Sequence, residues 1–314
     1  MKMNSLIEKI NEASNIVILT HEKPDGDAIG SSLAMYYFLK DMNKTVDIVI
    51  PDMPHIFNFL DSSLVKDDTE DSYDLGIIVD TSNIERIGQK SNIFSRCKIT
   101  YCIDHHISNT KYANYNEVDP TAASCSLLLY EILKDYEKNI TIDMANAIAT
   151  GIITDTGGFK NGNVDRRVFN TISELMNMGI DYGYLYYNLI TKKTIPQFEL
   201  MKLVMSRIEL FYNNKVAFSY ITKEDMDLLK AKEGDHEGLV DIGKSIEGVE
   251  VSIFLRQDDY CRISLRSKNY VDVNEIASSF GGGGHINAAG CKLNVSVDEA
   301  KEAILKRVRK YIDE

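Results

Sequence analysis

Basic residues are scarce in this chain. Lys and Arg total 35 against 47 Asp and Glu, and the formal net charge is −12. A surface that tracks long nucleic acid relies on many Lys and Arg contacts to phosphate, so this balance argues against one. A small phosphorylated substrate stays compatible, because bound divalent cations reverse the local sign of an acidic pocket. Cysteine is sparse as well. The five cysteines are odd in number and include no C-x-x-C pair, which fits free thiols in a reducing compartment. Cys97 and Cys102 fall beside and within an apolar stretch, where burial accounts for them. No apolar run approaches the roughly 18 residues of a membrane span. Met1 to Glu12 is a mixed-charge helical pattern without the apolar centre of a signal peptide. There is no internal repeat and no low-complexity tract. These absences point to a soluble cytoplasmic protein with no membrane partner, and a homodimer is compatible with them.

What is present is organised around Tyr101-Cys102-Ile103-Asp104-His105-His106. Lys98 to Ile103 alternates and is rich in β-formers, so it reads as a strand. The acid and both imidazoles then sit at the strand's C-terminal end, the edge where open α/β sheets bind ligands. A lone histidine is more often a satisfied structural residue than a ligand, and two adjacent ones behind an acid reverse that expectation.

Other segments end the same way. Asn15 to Thr20 is a short apolar strand, followed by the turn His21-Glu22-Lys23-Pro24-Asp25-Gly26-Asp27 and a helix over Ala28 to Met42. Taken alone this is a Pro-Asp-Gly turn with Asp27 as helix cap. His21 at the strand end adds a second reading, in which His21, Asp25 and Asp27 converge. Thr45 to Ile50 is a further strand, and the strand–helix–strand order predicts a parallel sheet. Asp61 to Asp74 reads as polar surface. Leu75 to Val79 is a strand buried on both faces and ends in Asp80. Asp119 to Ser124 opens a helix running to about Tyr136, with Thr121 or Ser124 as its cap or as an anion contact. Asp143 to Ile153 is a nearly all-apolar helix ending in Thr154-Asp155-Thr156-Gly157, where a carboxylate must be paired, metal-bound or protonated.

The chain's 314 residues suggest about two domains. After a helix over Asp165 to Met178 and a tyrosine-rich stretch, Thr194 to Glu209 reads as a connecting helix. The expected division is a catalytic domain over 1–190, a linker over 191–210 and a smaller domain over 211–314. In the smaller domain, strands are expected at Lys215 to Thr222, Val249 to Leu255, Tyr260 to Arg266 and Ala288 to Leu293. Helices are expected at Lys223 to Lys232, Glu237 to Ile246, Val273 to Phe280 and Val297 to Tyr311. The four glycines Gly281 to Gly284, followed by His285, let backbone N–H groups approach an anion closely. No Gly-Lys-Ser/Thr follows, so this is not a Walker loop. Arg266 and Ser267 are positioned to add a charge-assisted phosphate contact.

Collected at one sheet edge, His21, Asp25, Asp27, Asp80, Asp104, His105, His106 and Asp155 are five carboxylates and three imidazoles. So many acids repel one another unless cations join them. Mixed oxygen and nitrogen donors without thiolate suit Mn²⁺ or Mg²⁺ better than structural zinc. Two such ions activate water and clamp a phosphoryl oxygen, which makes phosphoester hydrolysis the expected reaction.

These residues carry a resemblance. His21-x-x-Pro24-Asp25-Gly26-Asp27-Ala28-x-Gly30-Ser31, Asp80, Asp104-His105-His106 and Thr154-Asp155-Thr156-Gly157 resemble the four motifs of the DHH phosphoesterase family. Gly281-Gly282-Gly283-Gly284-His285-x-x-Ala288-Ala289-Gly290 is similar to the signature of that family's associated C-terminal domain. The match spans essentially the whole chain in order, without departure at the motif positions. Within the family the chain is most similar to the nanoRNase and pAp-phosphatase type. The resemblance implies an α/β fold: a parallel-sheet catalytic domain, a helical linker and a smaller α/β substrate-binding domain. It implies hydrolysis of short oligoribonucleotides to mononucleotides and of pAp to AMP.

It also implies roles. His21, Asp25 and Asp80 would hold one Mn²⁺, and Asp27, Asp80, His105 and Asp155 the other, with Asp80 bridging. His106 would contact the scissile phosphate, and Asp104 would orient an imidazole. Asp80, Asp104, His105 and His106 form the catalytic group. His106, Arg266, Ser267, Gly282, Gly283, Gly284 and His285 form the substrate-binding group, and a narrow cleft between the domains would favour short substrates. A cyclic-dinucleotide phosphodiesterase is the nearest alternative. A pyrophosphatase of the same family is disfavoured by the glycine loop. A non-catalytic nucleotide sensor should have lost metal ligands, and none is missing here.

Overall fold

The computed structural model describes residues 5–50, 53–66, 68–69, 71–134, 136, 140–232 and 234–312. The chain forms two compact units, Met1–Lys192 and Lys193–Glu314. The connecting helix expected before residue 210 therefore lies within the second unit. No helix among the described residues is long and apolar enough to cross a membrane.

The first unit is built on a six-stranded sheet, ordered β3-β2-β1-β4-β5-β6. Its strands are β1 (Asn15–Leu19), β2 (Thr45–Val49), β3 (Val65–Lys66), β4 (Tyr73–Val79), β5 (Cys97–Asp104) and β6 (Tyr115–Val118). Every pairing is parallel. Strands buried on both faces need no polar alternation, which is why Ile16, Val17, Ile18 and Leu19 are all buried. One face packs on α1 (Ser5–Glu12), α2 (Gly26–Asp41), α4 (Cys125–Lys134), α5 (Ile142–Asp155) and α6 (Arg166–Asn177). The opposite face carries a smaller cluster of Val17, Leu19, Val49, Ile78, Ile87 and Ile93, the last of these from α3 (Ser91–Phe94). The unit closes with α7 (Tyr182–Tyr186). β1 lies between β2 and β4, so the winding reverses there and a crevice opens beyond the strand ends.

Several local expectations need correction. Asp27 is not the cap of α2. That cap is Asp25, whose Oδ1 accepts from the Asp27 and Ala28 N–H groups at 3.0 Å each. β4 begins at Tyr73, inside the stretch expected to be surface, and β6 was not anticipated because its alternate residues stay exposed or half-buried.

The second unit holds a mixed six-stranded sheet, ordered β11-β12-β10-β9-β8-β7. Its strands are β7 (Glu209–Phe211), β8 (Val216–Thr222), β9 (Val251–Gln257), β10 (Cys261–Ser267), β11 (Gly283–His285) and β12 (Ala288–Leu293). α8 (Ile195–Ser206), α9 (Lys223–Leu228) and α10 (Val240–Lys244) cover one face through Leu200, Val204, Met226, Val240 and Phe254. α11 (Val273–Ser278) and α12 (Val297–Val308) cover the other. α8 stops at Ser206 and Glu209 opens β7, so the helix expected to reach Glu209 is shorter. α9 and α10 are also shorter than expected. Part of the expected glycine loop is strand β11, paired antiparallel to β12.

Candidate metal centre

The crevice at the winding reversal collects the predicted residues from four separate stretches. His21 follows β1 and Asp80 follows β4, and Thr20 Oγ1 ties the two strand ends by donating to the Val79 carbonyl at 3.0 Å. Asp104, His105 and His106 close β5, and Asp155 is the last residue of α5. Asp80 takes a left-handed backbone conformation, φ +52°. That is uncommon for a residue with a Cβ and costs roughly 1–2 kcal/mol. Its N–H still donates to the Ile103 carbonyl at 3.0 Å, so the turn is anchored to the neighbouring strand.

Three overlapping triplets have ligand atoms within 4.8 Å of one another: His21, Asp25, Asp80; Asp27, His105, Asp155; and Asp80, His105, His106. His105 Nε2 lies 3.5 Å from Asp80, 3.6 Å from Asp155 and 3.8 Å from Asp27. His21 Nε2 lies 3.7 Å from Asp80 Oδ2. The other ring nitrogens are engaged with backbone, His21 Nδ1 with the Glu22 carbonyl at 2.8 Å and His105 Nδ1 with the Ala122 carbonyl at 3.2 Å. A carbonyl on Nδ1 fixes the tautomer and leaves Nε2 as the ligand atom.

The donor set fits divalent metal. Among the described residues no Lys or Arg pairs with Asp25, Asp27, Asp80 or Asp155. Asp80 is 2 % exposed, and its Oδ1 has no hydrogen-bond donor. A buried carboxylate oxygen in that state needs a cation.

The titration behaviour has the same origin. Burial, then the charges of Asp80 and Asp155, pushes Asp27 well above the usual carboxylate range. Burial, with Asp80 and Asp25 behind it, pushes Asp155 up to about 6 against the pull of His105. Burial also opposes the charged forms of Asp80 and His105. Their mutual contact, helped by His21 at Asp80 and by Asp27 and Asp155 at His105, outweighs it. Asp80 is held below the usual range and His105 is pushed up to about 10.

His106 and Asp104 stand apart from the triplets around His21 and Asp155. Asp104 is fully buried; its Oδ1 accepts from His106 Nδ1 at 2.7 Å and its Oδ2 from Asn109 Nδ2 at 2.6 Å. Asn109 was missed from the sequence. Its signal was an asparagine at turn spacing after the histidines, where its N–H donates to the His106 carbonyl at 3.1 Å.

The substrate-binding candidates of the second unit lie on the β10-β12-β11 end of its sheet. Arg266 pairs across from Ala288, and His285 pairs with the same residue. Gly283, Gly284 and His285 are exposed on the edge strand and Gly282 is half-buried just before it. Ser267 is different. It is fully buried, its hydroxyl donates to the Ile286 carbonyl at 3.4 Å, and its N–H donates to the Asn287 carbonyl at 3.1 Å. In this arrangement it holds the turn and presents no hydroxyl to solvent.

Comparison with known proteins agrees with this geometry. The profile of the DHH family, N-terminal domain, matches residues 15–152, and that of the DHHA1 domain matches residues 213–314. The bifunctional oligoribonuclease and PAP phosphatase NrnA of Thermus thermophilus is 30 % identical over 95 % of this chain and 90 % of that protein. The chain belongs to the DHH family. A second DHH relative, the Bacillus subtilis protein of the same name, is 28 % identical over 94 % of each chain. Among solved structures, an exopolyphosphatase-related protein from Bacteroides fragilis superposes with a TM-score of 0.92 at 30 % identity, covering 98 % of this DHH chain and 95 % of that one.

Proposed function

We propose that this chain is a two-metal phosphoesterase that hydrolyses short oligoribonucleotides to mononucleotides and pAp to AMP. Asp80 carries the reading: a buried carboxylate with one oxygen lacking any donor, shared by two of the three ligand triplets. The names of the NrnA relatives support the substrate class. His21, Asp25 and Asp80 would hold one ion, and Asp27, Asp80, His105 and Asp155 the other. When bound, such ions lower the pKa of water and polarise a phosphoryl oxygen.

The chain's own groups do the rest. Asp25 spends Oδ1 on the α2 cap, leaving Oδ2 for an ion. The carbonyls of Glu22 and Ala122 keep the His21 and His105 rings in their ligand tautomers. Asp104 holds His106 by Nδ1, which leaves Nε2 to meet the scissile phosphate. In the second unit, Arg266, Gly282, Gly283, Gly284 and His285 are assigned to nucleotide binding through charge and backbone N–H groups. Mn²⁺ suits the mixed imidazole and carboxylate set better than Mg²⁺, which prefers an all-oxygen shell with several waters. We place the activity in the cytoplasm, where short RNA fragments arise.

The test is product release from pAp, a 5′-phosphorylated RNA dinucleotide and cyclic di-AMP, each with Mn²⁺ and with Mg²⁺. The expected result is turnover of pAp and the linear dinucleotide, fastest with Mn²⁺, and little from the cyclic one. Dominant cyclic turnover would move the chain to the cyclic-dinucleotide phosphodiesterases. No turnover with metal bound would make it a nucleotide sensor.

A further inference from the structure

The first N–H groups of a helix have no intrahelical acceptor. In α4, Leu127 N–H finds Ser124 Oγ at 3.0 Å and Leu128 N–H finds the Ser124 carbonyl at 3.2 Å. The two donors before them run to a distant side chain. Cys125 N–H donates to Asp27 Oδ2 at 2.6 Å and Ser126 N–H to Asp27 Oδ1 at 2.9 Å, across 98 and 99 residues of sequence. Asp27 thus caps a helix, though not its own, and it is 1 % exposed.

A second helix closes the space behind it. At Gly151 in α5, a Cβ would stand 1.9 Å from Ser126 Oγ, 2.5 Å from Asp27 Oδ1 and 2.6 Å from Ser126 Cβ. The two oxygens therefore share the room that the missing Cβ leaves. Ser126 Oγ is buried there with no hydrogen-bond partner. The carboxylate is gripped from one side by two backbone donors and walled from another by glycine. Its Oδ2 still lies 3.8 Å from His105 Nε2.

We infer that the amino end of α4, with Gly151 behind it, is the positioning element for Asp27. It sets the carboxylate toward His105 and Asp155 before any ion arrives. Metal loading and the order of the first turn of α4 are therefore coupled. The inference rests on the reading of Asp27 as a metal ligand. The DHH motifs assign a role to Asp27 alone, whereas Cys125, Ser126 and Gly151 lie outside the ligand set.

Two measurements on the full chain test it. The first is amide hydrogen exchange of the metal-free protein over the segment containing Cys125, Ser126 and Leu127. Asp27→Ala should make these amides exchange several-fold faster, because the helix end loses its acceptors. Asp155→Ala, which removes a neighbouring acid of the same site, should not. Equal exchange in the two variants overturns the inference. The second is Mn²⁺ titration by calorimetry, with thermal melting alongside. Gly151→Ala should weaken Mn²⁺ binding by about tenfold or more. Ile148→Ala, a buried core change in the same helix, should lower the melting temperature and leave Mn²⁺ affinity near wild type. Wild-type affinity in Gly151→Ala overturns the inference. If that variant does not fold, the exchange contrast decides alone. Failure of the wild-type chain to bind Mn²⁺ would instead sink the metal reading of the site while the exchange contrast stood, so the two failures are distinguishable.

Discussion

The Asp104 carboxylate and the His106 imidazole form a closed pair, with Nδ1 donating to Oδ1 at 2.7 Å and Asn109 occupying Oδ2 at 2.6 Å. Asp104 has no exposed surface, so in the role proposed for the pair it would act on substrate only through His106. Asp104→Asn keeps the volume and replaces one acceptor oxygen by an amide donor. We expect kcat/KM for pAp to fall about 10- to 100-fold, the usual cost of losing a partner behind a working imidazole. Asn109→Ala should give a smaller loss in the same direction. Steady-state kinetics at saturating Mn²⁺ measures both.

Metal binding should weaken as pH falls. Asp155, pushed up to about 6, takes a proton in the range where it would otherwise accept an ion. Calorimetric Mn²⁺ affinity should therefore drop between about pH 7 and pH 5. Stability of the metal-free protein should move the other way. The native state holds protons more tightly than the unfolded chain at Asp155 and at His105, which is pushed up to about 10. Each group then makes the metal-free fold less stable as pH rises through its native value. The His105 contribution is complete below its unfolded value of 6.5 and is lost as pH climbs towards about 10. Thermal melts of chelator-treated protein should fall from about pH 6 to pH 9, and Mn²⁺ should restore them.

A second carboxylate matters for folding alone. Glu250, just before β9 and 3 % exposed, accepts the N–H groups of Asn269, Tyr270 and Val271 on Oε1 at 2.9, 2.8 and 3.2 Å, and Asn269 Nδ2 on Oε2 at 3.0 Å. Burial opposes its charge, but these donors outweigh it and hold the carboxyl below its usual value of 4.5. Glu250→Gln should cost about 1–3 kcal/mol at pH 7, read from urea midpoints. Because the native value is depressed, the advantage of wild type is present above pH 4.5 and should shrink as pH falls below it.

Gly282 tests the glycine segment. A Cβ there would stand 2.1 Å from the Gly290 carbonyl oxygen and 2.6 Å from Cys291 Cβ, so β11 must lift from β12 in Gly282→Ala. The expected result is a raised KM for the RNA dinucleotide with a smaller change in kcat. An unchanged KM would remove this strand from the binding role given to it.

The residues legible in the sequence were those whose chemistry is local. An acid or imidazole directly after a β-rich run marks a strand end, and that pattern located His21, Asp80, Asp104, His105 and His106. The parallel sheet followed from the strand–helix–strand order over β1, α2 and β2. What stayed hidden depends on partners distant in sequence. Asp25 and Asp27 compete for one cap, and periodicity does not decide between them. The decision came from α4, nearly a hundred residues later, which takes the carboxylate of Asp27 for its own end. Ser267 reads as a solvent-facing hydroxyl beside Arg266, yet alternation along β10 turns it inward. β6 and β11 are four- and three-residue edge strands, too short to show a period.

The candidate ligands run from His21, just after β1, to Asp155, the last residue of α5, with α6 and α7 of the first unit still to follow. A ribosome releasing this polypeptide must deliver α5 before the last of them exists. Until then the emerging chain holds an incomplete set of candidate ligands. On the metal reading proposed above, the order of the elements makes α5 the segment whose synthesis completes the site.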